Sequence, residues 1–321
     1  MLTVSQKIII DADPGIGDAL AVLIAMVDPS LEVVGLTATA GTVSGIQATR
    51  NLQFLTELAD PVKHPRVGEC SRAGSVVGVS TDFGRTHHSF CGRHGLGDLD
   101  VVVPDLHNRR ESAKLIIDLV QEYPHQIRIL TLGPLTNLAA ALELDPMLDT
   151  QLDSVVCLGG TDRCGGDVAA MSEFNIWCDP EAAASVLAAP VTKTLVPLDI
   201  SSSCVLTFED VDILTELMSS ARHGETLSSM LHFSLRANHQ LALEGIPLHS
   251  VVALAVAARA ESFSLEAVKA GIETRGELTR GMTVIDRRRD SSGQTNLDIV
   301  SAIDEHGIVD YFSRSLRRVA G

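Results

Sequence analysis

Three aspartates, Asp11, Asp13 and Asp18, fall within eight residues of the stretch KIIIDADPGIGDAL. Hard divalent cations such as Ca2+ are held by carboxylate and carbonyl oxygens, and a flexible loop can fold several of these round one ion. A carboxylate beside such an ion can also accept a proton from water. The plainer reading is that Asp11 and Asp13 cap a helix, Pro14-Gly15 form the turn and Asp18 favours the first helical turn. Farther along, Glu173 and Asn175 stand two apart in SEFNIWCDPEAA. That spacing puts both side chains on one face if the stretch is extended. The alternative to a shared polar face is a satisfied loop network. His249 opens the apolar run HSVVALAV, where a lone histidine is more often structural than chemical.

The elements around these residues must place them together. KIII is a β-branched run ending in acid and turn residues, and DALAVLIAMVDP carries helix formers up to a proline stop. The unit recurs in LEVVGLTAT with GIQATRNLQFLTELAD, IRILTL with GPLTNLAAALEL, DSVVCLGG with PEAAASVLAAP, and TKTLVPLDI with a following helix. This alternation predicts an α/β fold, a doubly wound, mostly parallel central sheet with helices on both faces. Ligands of such sheets sit beyond the carboxyl ends of the strands, where DADPGIGD, TAGT, LGPLTN and GGTDRCGGD fall. No proline-rich linker divides the chain, so residues 1–321 are expected to form a single domain, with a mostly helical insertion at about 220–260 and a strand–helix finish at NLDIVSAIDEHGIVDYFSRSL.

A chain of 321 residues with 45% hydrophobic content can bury a large core. Its 25 Lys+Arg against 41 Asp+Glu give a net charge of −16, which opposes binding to nucleic acid or anionic membranes and favours a small-molecule substrate. The start MLTVSQKIII has no secretory leader pattern, and no apolar run is long enough to span a bilayer; a cytoplasmic protein is expected. The six cysteines show no C-x-x-C spacing, which fits a reducing compartment. Trp177, Tyr123, Tyr311 and eight Phe supply little for base stacking along single-stranded nucleic acid.

Five segments, in order along nearly the whole chain, resemble the inosine/uridine-preferring nucleoside hydrolase family. DADPGIGDAL resembles its D-x-D-P-G-x-D-D, and SEFNIWCDPEAA its E-F-N-I-x-x-D-P-E-A-A. GLG at 95–97, LGPLTNLAAAL at 132–142 and RGMTVIDRR at 280–288 fall in family order. The resemblance implies hydrolysis of the N-glycosidic bond of a purine or pyrimidine ribonucleoside to free base and ribose. It implies a Ca2+ at the pocket floor that binds a water and the ribose hydroxyls. Asp13 would be metal ligand and the base that activates this water, Asp18 a second ligand, and Leu132 a ligand through its backbone carbonyl. Glu173 and Asn175 would bind ribose, and His249 would stand beside the leaving base. A homodimer or homotetramer is implied as well.

Several positions depart from the family pattern. Gly17 replaces an aspartate that holds the sugar 2′-hydroxyl, Thr42 an asparagine, and Asp167 another asparagine that touches ribose. Cys91 and His94 stand where a histidine and an aspartate are usual. Ser250 replaces one of three carboxylates on the calcium, so Ca2+ affinity is expected to fall. A second reading is therefore a catalytically weakened or non-catalytic nucleoside- or sugar-binding protein of the same fold. A third is a haloacid-dehalogenase-like phosphatase, which presents Asp-x-Asp after a strand, although no convincing threonine, lysine and acidic pair follows.

Overall fold

The computed structural model describes residues 5–70, 90–97, 99–103, 110–288 and 295–321, so the first four residues of MLTVSQKIII lie outside the described residues. Strands, in chain order, are β1 Gln6–Ala12, β2 Leu31–Ala38, β3 Arg66–Gly68, β4 Ile127–Thr131, β5 Ser154–Leu158, β6 Lys193–Val196, β7 Val205–Leu206, β8 Ile246–Pro247, β9 Ser264–Val268, β10 Ala270–Ile272, β11 Thr283–Ile285 and β12 Leu297–Ala302. Eight of them form one sheet in the order β3-β2-β1-β4-β5-β6-β12-β9. All neighbours run parallel except β9, which pairs antiparallel with β12 at one edge. The mostly parallel α/β sheet expected from the alternation is present, and its chain order reverses between β1 and β4. That reversal is the switch point at which doubly wound sheets open a crevice.

β1 shows why the sheet is central. Ile8 and Ile10 face one apolar cluster and Ile9 the other, all fully buried, as a strand covered on both faces requires. The chain then enters helix α1, Ile16–Val27, whose residues Ala19 to Ala25 are all buried. α1 lies against helices His249–Ala258 and Glu305–Ala320, so it is apolar all round and enclosed rather than amphipathic. It stops at Asp28, ahead of Pro29, where Asp28 accepts from Tyr311 Oη at 2.7 Å and from Ser30. Helix α2, Gly45–Ala59, follows β2 and is capped by Ser44.

The DPEAA run is a helix start in the usual chemistry. Asp179 caps helix Pro180–Ala188 by accepting from Ala182 N at 3.0 Å, with Pro180 in the first turn. Its other oxygen accepts from Thr136 Oγ1 at 2.6 Å, which joins the LGPLTN and DPEAA segments. Residues 220–260 hold helices Gly224–Gln240 and His249–Ala258 with β8 between them. Among the described residues no helix is long and apolar enough to cross a membrane.

Candidate active site

Asp13 is the first residue past β1, fully buried, and its carboxylate is held between two close approaches of backbone. A Cβ on Gly41 would lie 2.1 Å from Oδ2, and one on Gly133 2.3 Å from Oδ1. The glycines of TAGT and LGP are thus the room in which this carboxylate sits. Thr42 N–H donates to Oδ2. Burial raises the Asp13 carboxyl to about 6, against the lowering effect of Thr42. Asp18, in the first turn of α1, is held well above the usual carboxylate range, first by burial and then by the neighbouring Asp13 charge. Ser250 Oγ donates to Asp18 Oδ1 at 2.5 Å.

Asp11 and Asp13 do not cap α1, whose N-cap is Gly15 with no side-chain cap, although Asp18 does stand in the first turn as the plainer reading expects. Asp11 and Asp13 also part company. Asp11, still inside β1, turns its Oδ1 to Thr37 Oγ1 at 2.6 Å and Asn137 Nδ2 at 2.8 Å, and burial pushes it up to about 7. It does not line the pocket. A phosphatase needs that carboxylate as an accessible nucleophile, so the burial of Asp11 removes the third reading.

A pocket of 710 Å³ opens over Asp13 and Asp18 at the carboxyl ends of the parallel strands. Its wall brings together Gly17, Thr42, Cys91, Leu132, Asp167, Glu173, Asn175, His249 and Ser250 from seven separate stretches of chain. Gly17 is open: a Cβ there would meet only Ser250 Oγ, at 3.4 Å. Cys91 packs on Gly15 and is a thiol that burial pushes up to about 12. Asn51 holds this corner by donating to Pro14 O at 2.9 Å and His94 O at 2.8 Å, while the His94 side chain is exposed and lies outside the pocket wall.

The Glu173–Asn175 stretch is not extended. Phe174–Cys178 is a helix, and Glu173 is its N-cap, accepting from Asn175 N at 3.0 Å, Ile176 N at 3.2 Å and Gly160 N at 2.8 Å. Spacing by two therefore does not set their common face; the cap does. Asn175 Nδ2 donates to Leu132 O at 2.7 Å and Leu158 O at 3.0 Å, tying the ends of β4 and β5. Burial, then the nearby charge of the exposed Asp167, raises Glu173 to about 8. Asp199 organises the loop after β5 by accepting from the N–H groups of Asp162, Arg163 and Cys164 at 2.7, 2.8 and 2.7 Å.

On the far wall His249, first residue of its helix, has Nδ1 2.9 Å from Ser201 Oγ, and burial lowers its pKa to about 4, so it is neutral. Ser201, Gly41 and Gly133 were not singled out from sequence. Each lies just beyond a strand end, in LDISSS, TAGT and LGPLTN, and the strand-end rule was the available signal. Whether a divalent cation suits the floor is a question of donors. Asp13 and Asp18 are two buried carboxyls, both raised by burial and Asp18 further by the Asp13 charge, and neither is in a salt bridge among the described residues. With the Leu132 carbonyl and the Ser250 hydroxyl nearby they form a hard-oxygen set that fits Ca2+, at two formal charges. Among the described residues no three His, Cys, Asp or Glu side chains converge as a metal site.

The family model described as inosine-uridine preferring nucleoside hydrolase matches residues 8–310. Uridine nucleosidase 1 of Arabidopsis thaliana is 33% identical over 98% of this chain and 94% of its own length. The non-specific ribonucleoside hydrolase RihC of Salmonella agona (strain SL483) is 30% identical over 95% and 96%. The solved structure of the purine-preferring ribonucleoside hydrolase from Gardnerella vaginalis superposes with a TM-score of 0.87 at 28% identity, covering 98% of this chain and 99% of that one.

Proposed function

The chain belongs to the inosine-uridine preferring nucleoside hydrolase family, and on that premise we propose that it is an N-glycosidase that cleaves ribonucleosides to free base and ribose in the pocket above Asp13 and Asp18. The observation that carries this reading is the pair of buried carboxylates facing a 710 Å³ pocket at the strand switch point. A carboxyl at about 6 is ionised at neutral pH and basic enough to take a proton, so Asp13 is assigned as the general base for the water that attacks C1′. Thr42 N–H and the two glycines hold it at one orientation. Ca2+, held by Asp13, Asp18 and the Leu132 carbonyl, would supply positive charge that favours ionised water and orients the sugar hydroxyls. Thr42, Glu173, Asn175 and Asp167 are assigned to the sugar, with Gly17 and Cys91 as neutral wall beside it, and His249 to the base.

The test is release of ribose from inosine and uridine, with Ca2+ and with a chelator. Both bases are needed, since the relatives named above differ between uridine, purine and non-specific action. The Ser250 to Asp18 hydrogen bond favours a second reading, a weakened enzyme or binding protein, because a hydroxyl occupies the place expected for a third charge. Nucleoside binding without ribose release at micromolar enzyme would select it. We further assign the protein to the cytoplasm, which the absence of C-x-x-C spacing among its six cysteines supports. A homodimer or homotetramer is the assembly proposed, to be read by sedimentation.

A further inference from the structure

Ser201 ends the short helix Leu198–Ser201 that follows β6, and it is 1% exposed. Its hydroxyl lies 2.9 Å from His249 Nδ1, and among the described residues it has no other hydrogen-bond partner. His249 is half-buried and lines the pocket, with no partner on Nε2 among the described residues. The direction of this bond follows from the inventory of donors. A serine hydroxyl has one proton and spare lone pairs, and a buried proton without an acceptor costs more than an unused lone pair. If Nδ1–H donated, the Ser201 proton would have no acceptor. If Ser201 donates, its buried proton is satisfied, and the ring proton stands on Nε2, the edge that faces the pocket, where solvent or a ligand can accept it.

We propose that Ser201 is a positioning residue for leaving-group departure: its hydroxyl donates to Nδ1 and fixes His249 as the Nε2–H tautomer, aimed at the base. This rests on the nucleoside hydrolase reading. As the C1′–N bond breaks, its electron pair goes to the base, and an N–H donor already in place stabilises that developing charge more than it does the bound nucleoside. The wrong tautomer would present a lone pair there instead.

The experiment compares two leaving groups in Ser201→Ala and Ser201→Thr at saturating Ca2+. Inosine and uridine release poor leaving groups; p-nitrophenyl β-D-ribofuranoside releases a stable anion that needs little help. For Ser201→Ala, kcat on the nucleosides should fall about 10- to 100-fold, with the p-nitrophenyl riboside changed by less than about threefold on the same argument. Ser201→Thr, which keeps the hydroxyl, should recover most of the loss. Equal losses on both substrate types, or no loss on nucleosides, overturn the proposal. Nitrogen-15 NMR of the histidine-labelled protein, with His249 assigned through His249→Gln, gives a readout independent of turnover. Wild type should show Nε2–H and unprotonated Nδ1, and Ser201→Ala a mixture; Nδ1–H in wild type overturns the assignment. A wild type that cleaves none of the three substrates refutes the hydrolase reading, and the NMR result then still decides the tautomer.

Discussion

Asp13 and Asp18 share the pocket floor, yet substitution should separate them. Asp13→Asn keeps the shape and removes the proton acceptor, so kcat/KM for inosine and uridine should fall about 10²- to 10⁴-fold. A rate within tenfold of wild type would reject Asp13 as base. At Gly17 a new Cβ meets only Ser250 Oγ, at 3.4 Å, so Gly17→Asp can be accommodated. A carboxylate that accepts from a sugar 2′-hydroxyl is left unpaired when that hydroxyl is missing. Wild type, with glycine there, should therefore discriminate inosine from 2′-deoxyinosine weakly. Gly17→Asp, alone and combined with Ser250→Asp, should widen the ratio of kcat/KM, and calorimetry should show Ser250→Asp binding Ca2+ at least about tenfold tighter through its added charge. An unchanged ratio in the double variant would show that these positions do not define the sugar site.

Elements, rather than single residues, set the sugar wall. Helix Phe174–Cys178 is only five residues long and depends on Glu173, which takes three backbone N–H groups. Asn175 then spans β4 and β5 through the Leu132 and Leu158 carbonyls. Asn175→Ala leaves two buried acceptors unpaired and should destabilise the fold by about 2 kcal/mol, read by urea unfolding. A loss under about 0.5 kcal/mol would mean that water replaces the amide. The sequence could not reveal this wall as an extended strand because none exists: a capping carboxylate and a helix, both local, win over the period-two pattern.

At the scale of the whole molecule, three buried carboxyls act together on stability. Asp11 at about 7, Asp13 at about 6 and Glu173 at about 8 all bind their proton more tightly folded than unfolded, where 3.8 and 4.5 are usual. Their contribution is full below the unfolded values and is lost as pH rises through about 6 to 8. Burial pushes Asp28 and Asp199 up, but the hydrogen bonds they accept together outweigh it and lower them, so they stabilise above their unfolded pKa and lose this as pH falls. Without divalent cations the melting midpoint should therefore be higher at about pH 5 than at about pH 8.5. Ca2+ should raise it most at the higher pH, where its ligands are ionised. A midpoint independent of pH in chelator, or a Ca2+ effect larger at low pH, would contradict this account.

The strand and helix alternation and the collection of polar turns at strand ends were legible, because they rest on short-range propensity and periodicity. So were the family's motifs, and with them the pocket residues to ask about. What the chain order does not encode is which way each group turns. Asp11 and Asp13 are two apart in one motif, but one is locked inside the sheet by Thr37 and Asn137 and the other lies past its end. Ser250 meets Asp18 across 232 positions and Ser201 meets His249 across 48, contacts with no local signature. Only the parallel sheet, by setting all its carboxyl ends along one edge, brings those groups within hydrogen-bond distance. Their mutual burial then decides which carboxyl is raised, which oxygen is occupied and which imidazole edge remains for a ligand.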